Sequence, residues 1–108
     1  IRFSSTIAPD LSTKFENIPS SFKLLDPFPN PFNPITTIRF NVDAEKELFA
    51  SLNVIDIRGR IVEILLNGLI ESGQHEIQWD ASTYSSGIFF ISLTANGQTK
   101  TVKSVLVK

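Results

Sequence analysis

The chain has 108 residues, with ten Lys and Arg against eleven Asp and Glu and a formal net charge of −1. That length holds one domain, not two, and the balanced charge argues against nucleic acid or an anionic membrane as partner. Hydrophobic residues at 42% and aromatics at 10% fit a packed domain, and the absence of cysteine excludes disulfides and thiolate metal sites.

No apolar run approaches the roughly 20 residues of a membrane helix. The chain opens on Ile1 and contains no methionine, so it reads as a fragment of a longer protein. Residues 1–20 are rich in Ser, Thr and Pro and hold no period of 2 or 3.6. They read as a linker or tail from an upstream domain, with room for one short strand. The domain proper is expected over 21–108.

Phe22-Lys23-Leu24-Leu25 alternates briefly. Asp26 to Pro34 then places four prolines in nine residues. Each proline fixes φ, removes a backbone donor and biases the preceding residue toward extended geometry. The segment reads as a stiff crossover, neither helix nor central strand. Ile35 to Val42 alternates cleanly, with Thr36, Ile38, Phe40 and Val42 on one face. Asp43 to Glu47 is a charged turn. Leu48 to Asp56 alternates again, with Leu48, Ala50, Leu52 and Val54 together.

Asp56-Ile57-Arg58-Gly59 has Asp first and Gly last, as a type I turn prefers. Ile61 to Leu66 reads as the next strand, with Asn67-Gly68 and Ser72-Gly73 punctuating a loop after it. His75, Ile77 and Trp79 share a face. Asp80 to Gly87 is a polar loop, and Ile88 to Ala95 a strand with Phe89, Ile91, Leu93 and Ala95 together. Asn96-Gly97 is a strong type I′ hairpin signal, because both residues tolerate φ > 0. Gln98 to Lys108 is the return strand, read with Val102 and Leu106 inward and Lys103 outward. About seven short strands with turns every 8–12 residues make an all-β fold, an immunoglobulin-like β-sandwich of antiparallel strands. The expected core is Ile38, Phe40, Leu52, Val54, Ile77, Trp79, Phe89, Ile91 and Leu93. Phe49, Phe90 and Tyr84 are the aromatics expected to be exposed.

Chemistry is sparse. His75 is the only histidine and reads as a strand-end residue, partly buried. Asp26, Asp43, Asp56 and Asp80 all flank turns, where Asp bonds its own backbone; a calcium site built from two of them would lack its further oxygen ligands. Pro31-Phe32-Asn33-Pro34 matches P-x-x-P but lacks a flanking basic residue. Trp79 as a sugar platform is weaker than Trp79 as core. No phosphate loop or nucleophile elbow is present. The catalytic, cofactor and metal sites are therefore read as none. From the residues alone the reading stops at a β-sandwich module.

Pro29-Asn30-Pro31-Phe32-Asn33-Pro34-Ile35-Thr36-Thr37-Ile38 resembles the opening of the C-terminal sorting domain of the type IX, or Por, secretion system, with Phe28 where that family often has Tyr. Four further stretches resemble the family in order. They are Val54 to Arg60, Gly73 through Trp79-Asp80-Ala81, Ser86 to Phe90 (Phe89 replacing a usual Tyr), and the closing Lys103-Ser104-Val105-Leu106-Val107-Lys108. The immunoglobulin-like domain of flagellar hook-capping proteins is a related resemblance. Its segment between Trp-Asp and the next strand is longer than Ala81 to Ser86.

The resemblance implies a non-catalytic signal that directs a larger protein through the periplasm to the cell surface or medium. It implies the outer-membrane secretion machinery as partner and removal by a sortase-like peptidase, expected within residues 1–20. On this basis the sorting-signal candidates are Gly87, Phe89, Gly97, Lys103, Val105, Leu106, Val107 and Lys108, all in the final hairpin. A monomer without cofactor is expected. The alternatives are a structural or assembly immunoglobulin-like module and a carbohydrate-binding accessory module.

Overall fold

The structure is a computed structural model and describes residues 21–108. The expected linker over 1–20, the short strand it has room for and the expected cleavage region lie outside the described residues. Seven strands follow in chain order: β1 Ser21–Leu24, β2 Ile35–Asp43, β3 Leu48–Ile55, β4 Ile61–Ile70, β5 Gly73–Asp80, β6 Gly87–Ala95 and β7 Gln98–Leu106. They form two antiparallel sheets, β1-β2-β5 and β4-β3-β6-β7. This is the immunoglobulin-like sandwich expected from strand count. The fourth strand sits at the edge of the second sheet, not on the first as in constant-type antibody domains.

Alternation builds the core between the sheets. Thr36, Ile38, Phe40 and Val42 of β2 face Leu52, Val54, Ile91 and Leu93 of β3 and β6, and all are buried. Trp79 is 1% exposed at the end of β5. Ile77, expected in the core, is only half-buried, because β5 is an edge strand with a neighbour on one side only. On β7, Leu106 is buried, Val102 is half-buried and Lys103 points out, as the inward parity requires.

Two turns follow their sequence signals. Gly59 N–H donates to the Asp56 carbonyl at 3.0 Å and sits at φ 86°. Asn96 and Gly97 both have positive φ, 51° and 75°, as a type I′ hairpin demands.

Strand β4 departs from the expectation. It continues through Asn67-Gly68 to Ile70, so those two residues are not in a loop. Its ladder with β3 slips twice, between Leu52 and Asn53 and between Val54 and Ile55, leaving Leu65 and Val62 as extra residues. Each bulge puts two consecutive side chains on one side. Val62 and Glu63, then Leu65 and Leu66, therefore turn inward, while Ile61 and Ile64 stay exposed. The local period is three, so the strand's two faces do not follow simple alternation.

Candidate recognition end of the sandwich

The proline-rich segment is a strap across the edge of β7. Asn30 lies between two prolines, and both ends of its side-chain amide are used. Its Nδ2 donates to the Lys103 carbonyl and its Oδ1 accepts from Val105 N–H, both at 2.9 Å. Two residues on, Phe32 N–H donates to the Val105 carbonyl and the Phe32 carbonyl accepts from Val107 N–H, again both at 2.9 Å. Asn30 and Phe32 thus occupy the place of a strand beside Lys103 to Val107. The strap is bent rather than straight, with cis bonds before Pro29, Pro31 and Pro34.

Phe32 also enters the core. It is 2% exposed and packs on Trp79 with ring centroids 5.3 Å apart. Trp79 meets Phe89 edge-on at 5.3 Å, and Tyr84 lies 5.9 Å from Trp79 and 5.6 Å from Phe89. The inward Glu63 serves this cluster: its Oε1 accepts from Trp79 Nε1 at 3.1 Å and lies 3.0 Å from the Tyr84 hydroxyl. Burial raises the Tyr84 pKa above its ordinary value, and the hydrogen bond to Glu63 adds to this. Tyr84 is therefore half-buried in the cluster, not displayed as expected; Phe49 is the aromatic displayed on β3, at 59% exposure.

The loop after Trp79 closes the end. Ala81 N–H donates to the Pro34 carbonyl at 2.9 Å. The Asp80 carboxylate accepts from the Ser82 hydroxyl and from Ser82 N–H, which lowers its pKa, with the charge of Lys108 contributing. Lys108 N–H donates to Ser86 Oγ at 2.9 Å and Lys108 Nζ to the Ser82 carbonyl at 2.6 Å. The Asp56 turn lies at the same end. There Asp56 accepts from Arg60 N–H, Arg58 N–H and the Arg60 guanidinium, which hold its pKa down.

Strand register shows that all five family-like stretches meet at this end. Ile35 pairs with Asp80, Ile55 with Phe90 and with Ile61, and Gly87 with Leu106. The eight sorting-signal candidates separate. Phe89 and Leu106 are core, and Gly87 is half-buried opposite Leu106. Lys103, Val107 and Lys108 are exposed at the strap end, with Val105 half-exposed beside them. Gly97 turns at the opposite end, with β7 between, a span of roughly 30 Å at ~3.3 Å per residue. Lys100 is committed to structure: Nζ donates to the Phe22 carbonyl at 2.6 Å and sits 5.0 Å from the Phe22 ring, joining β7 to β1.

His75 stacks on Phe40 at 5.1 Å, with Nε2 2.7 Å from the Glu71 carbonyl. Among the described residues no three His, Cys, Asp or Glu side chains gather to hold a metal. Glu63 and Ser82 carry no role in the sequence reading; Asn30, Phe32 and Ser86 enter it only as members of family-like stretches, and Tyr84 only as an aromatic expected to be exposed. Only Asn30 gave a local signal, as a two-way hydrogen-bonding amide held between prolines.

The fold and this end define a small antiparallel sandwich module whose distinctive residues fasten its own last strand. Residues 27–108 match the family described as the secretion system C-terminal sorting domain, and the chain belongs to that family. Domains of this family are non-catalytic sorting signals of type IX secretion. They engage its machinery and mark proteins exported through the periplasm to the cell surface or medium. The fold is similar to a part of dimeric latent PorU from Porphyromonas gingivalis, with 22% identity and a TM-score of 0.64. The match covers 82% of this chain and 9% of that one. A conjugative transposon lipoprotein from Bacteroides eggerthii DSM 20697 is similar at 10% identity and a TM-score of 0.49, covering 84% of this chain and 99% of that one. No curated protein matches the chain. The likeness to PorU speaks to the fold, of which the chain spans about a tenth of that protein's length.

Proposed function

We propose that this chain is the address of a larger exported protein, and that the address is displayed at the strap end by Val107 and Lys108. The observation that carries the reading is the way the strap and the Ser82–Ser86 loop hold β7. Four backbone groups from Lys103 to Val107 are tied to Asn30 and Phe32, and Lys108 is tied to Ser82 and Ser86. The last residues therefore stand in one fixed geometry, as a signal read on an already folded protein requires. A pre-ordered element loses little entropy when it binds. The module itself carries no catalysis; a sortase-like peptidase removes it within residues 1–20, and it acts as a monomer.

The test fuses residues 1–108 behind a periplasm-directed fluorescent protein in a host with type IX machinery. The parent fusion should reach the surface or medium. Val107→Ser with Lys108→Ala, two exposed positions, should leave the melting midpoint nearly unchanged and remove most of the exported signal. Lys46→Ala with Glu47→Ala, at the opposite end, should not. Equal export of all three would place the address elsewhere. The mass of the released product should show cleavage within 1–20; an intact exported fusion would remove the peptidase from this account.

A further inference from the structure

The outer face of a sandwich sheet meets water and ordinarily reads polar. On the four-stranded sheet the middle rows obey. Asn53, Ser92 and Thr101 lie side by side by register, with Ile64 at the row's edge, and Ser51, Thr94, Thr99 and Asn67 form the next row. These residues bond one another: Asn53 Nδ2 to Ser51 Oγ at 3.1 Å, and the Thr94 and Thr99 hydroxyls at 2.9 Å.

The two rows nearest the strap end break the rule. Ile61, Ile55 and Phe90 lie across β4, β3 and β6, with Lys103 completing the row on β7. Ile88 and Val105 pair directly in the adjoining row. Residues so paired have Cβ atoms about 4.5–5.5 Å apart, so the five apolar side chains are contiguous rather than scattered. Ile61 is 56% exposed and Ile88 42% exposed, and Ile55, Phe90 and Val105 between and beside them are half-buried. The charges around them are cationic: Lys103 on the face and Arg58 in the turn beside Ile61 have no ion-pair partner among the described residues, while Arg60 is paired with Asp56. The nearby carboxylate, Asp56, is taken by Arg60 and its own turn. Glu63, the acid of β4, is turned inward to Trp79.

We propose that these two rows are a docking surface for a partner protein that presents an apolar patch rimmed by carboxylates. This rests on the sorting-domain reading and names the chemistry of the component that reads the domain. A contiguous apolar surface that is open to solvent, here fully at Ile61 and Ile88 and in part at Ile55, Phe90 and Val105, is with its polar rim the usual mark of a protein contact. The cationic rim selects an acidic counterpart and disfavours a second copy of the same face. A lipid surface fits less well, since the face carries no Trp or Tyr, the residues that settle at a bilayer interface.

The test uses the full chain fused as above. In one variant Ile88, Phe90 and Val105 all become Thr, which keeps β-propensity and adds polarity. In a second, Lys103→Glu and Arg58→Glu reverse the charge at two exposed positions outside the core, so the test stands even if the first variant folds poorly. Each should lower the exported fraction by about tenfold or more, the scale of losing interface anchors. The control, Phe49→Thr with Leu69→Thr, alters the exposed apolar pair at the other end of the same sheet and should leave export unchanged. Normal export of the charge-reversed fusion, or equal loss in the control, overturns the docking surface. Retention of the parent fusion overturns the sorting reading itself. Patch-dependent flotation with phosphatidylglycerol–phosphatidylcholine vesicles, or patch-dependent dimers in sedimentation, would replace the partner protein with a membrane or a second copy.

Discussion

At the scale of single residues, Trp79 is the side chain on which the strap end is assembled. It touches Phe32, Tyr84 and Phe89, and its indole N–H is satisfied by Glu63. Trp79→Ala should cost about 3–5 kcal/mol, as large-to-small core changes do, and also leave Glu63 facing a void. Urea denaturation would measure it; a loss under ~1 kcal/mol would mean that the ring is not a keystone of the core. Ser104 is the opposite case. It is fully buried on β7 opposite Phe89, and its hydroxyl has no hydrogen-bond partner. Ser104→Ala should raise stability by roughly 0.5–1 kcal/mol, since an unpaired buried hydroxyl carries its desolvation cost without return. A destabilised Ser104→Ala protein in the same assay would show that the hydroxyl has a partner after all.

At the scale of elements, the strap and β4 show two ways of managing sheet edges. An open edge invites pairing with other chains. On β7 the groups from Lys103 to Val107 are closed by Asn30 and Phe32, and further along Lys100 reaches across to β1. On β4 two bulges interrupt the regular ladder. Asn30→Ala should cost about 1–2 kcal/mol for its two hydrogen bonds. It should also speed amide exchange at Val105, whose N–H it covers, while Ile91 and Leu93 in the centre of β6 keep their protection. Unchanged exchange at Val105 would mean that the strap does not guard this edge in solution. Both elements were hard to read from sequence for the same kind of reason. Proline removes the alternation that marks a strand, and a bulge changes its period from two to three.

At the scale of the whole molecule, the family-like stretches lie far apart in the chain and come together at one end. Asn30 bonds residues 73 and 75 positions away, and Tyr84 reaches Val62 across 22. The far end holds the β6–β7 hairpin with Gly97 and the two connections, β2 to β3 and β4 to β5, that cross between the sheets. The final hairpin therefore spans both ends, and it joins core residues such as Phe89 and Leu106 to displayed ones such as Lys103 and Val107.

The sequence by itself determined the strands that alternate, their inward faces, the Asp56 and Asn96-Gly97 turns, and the family resemblance. These are local properties: a period of two fixes a strand's face, and a few residues with special φ preferences fix a turn. Tertiary structure alone decided which strands share a sheet, where the strap lies, and that Glu63 turns inward. It also decided that Ile55, Ile61, Ile88, Phe90 and Val105 adjoin on one outer face. The reason is that an outward-pointing residue acquires its neighbours from strand pairing, and pairing is set by partners tens of residues away in the chain. Alternation says that Phe90 points out; only the register with Ile55 and Lys103 says what it points out beside.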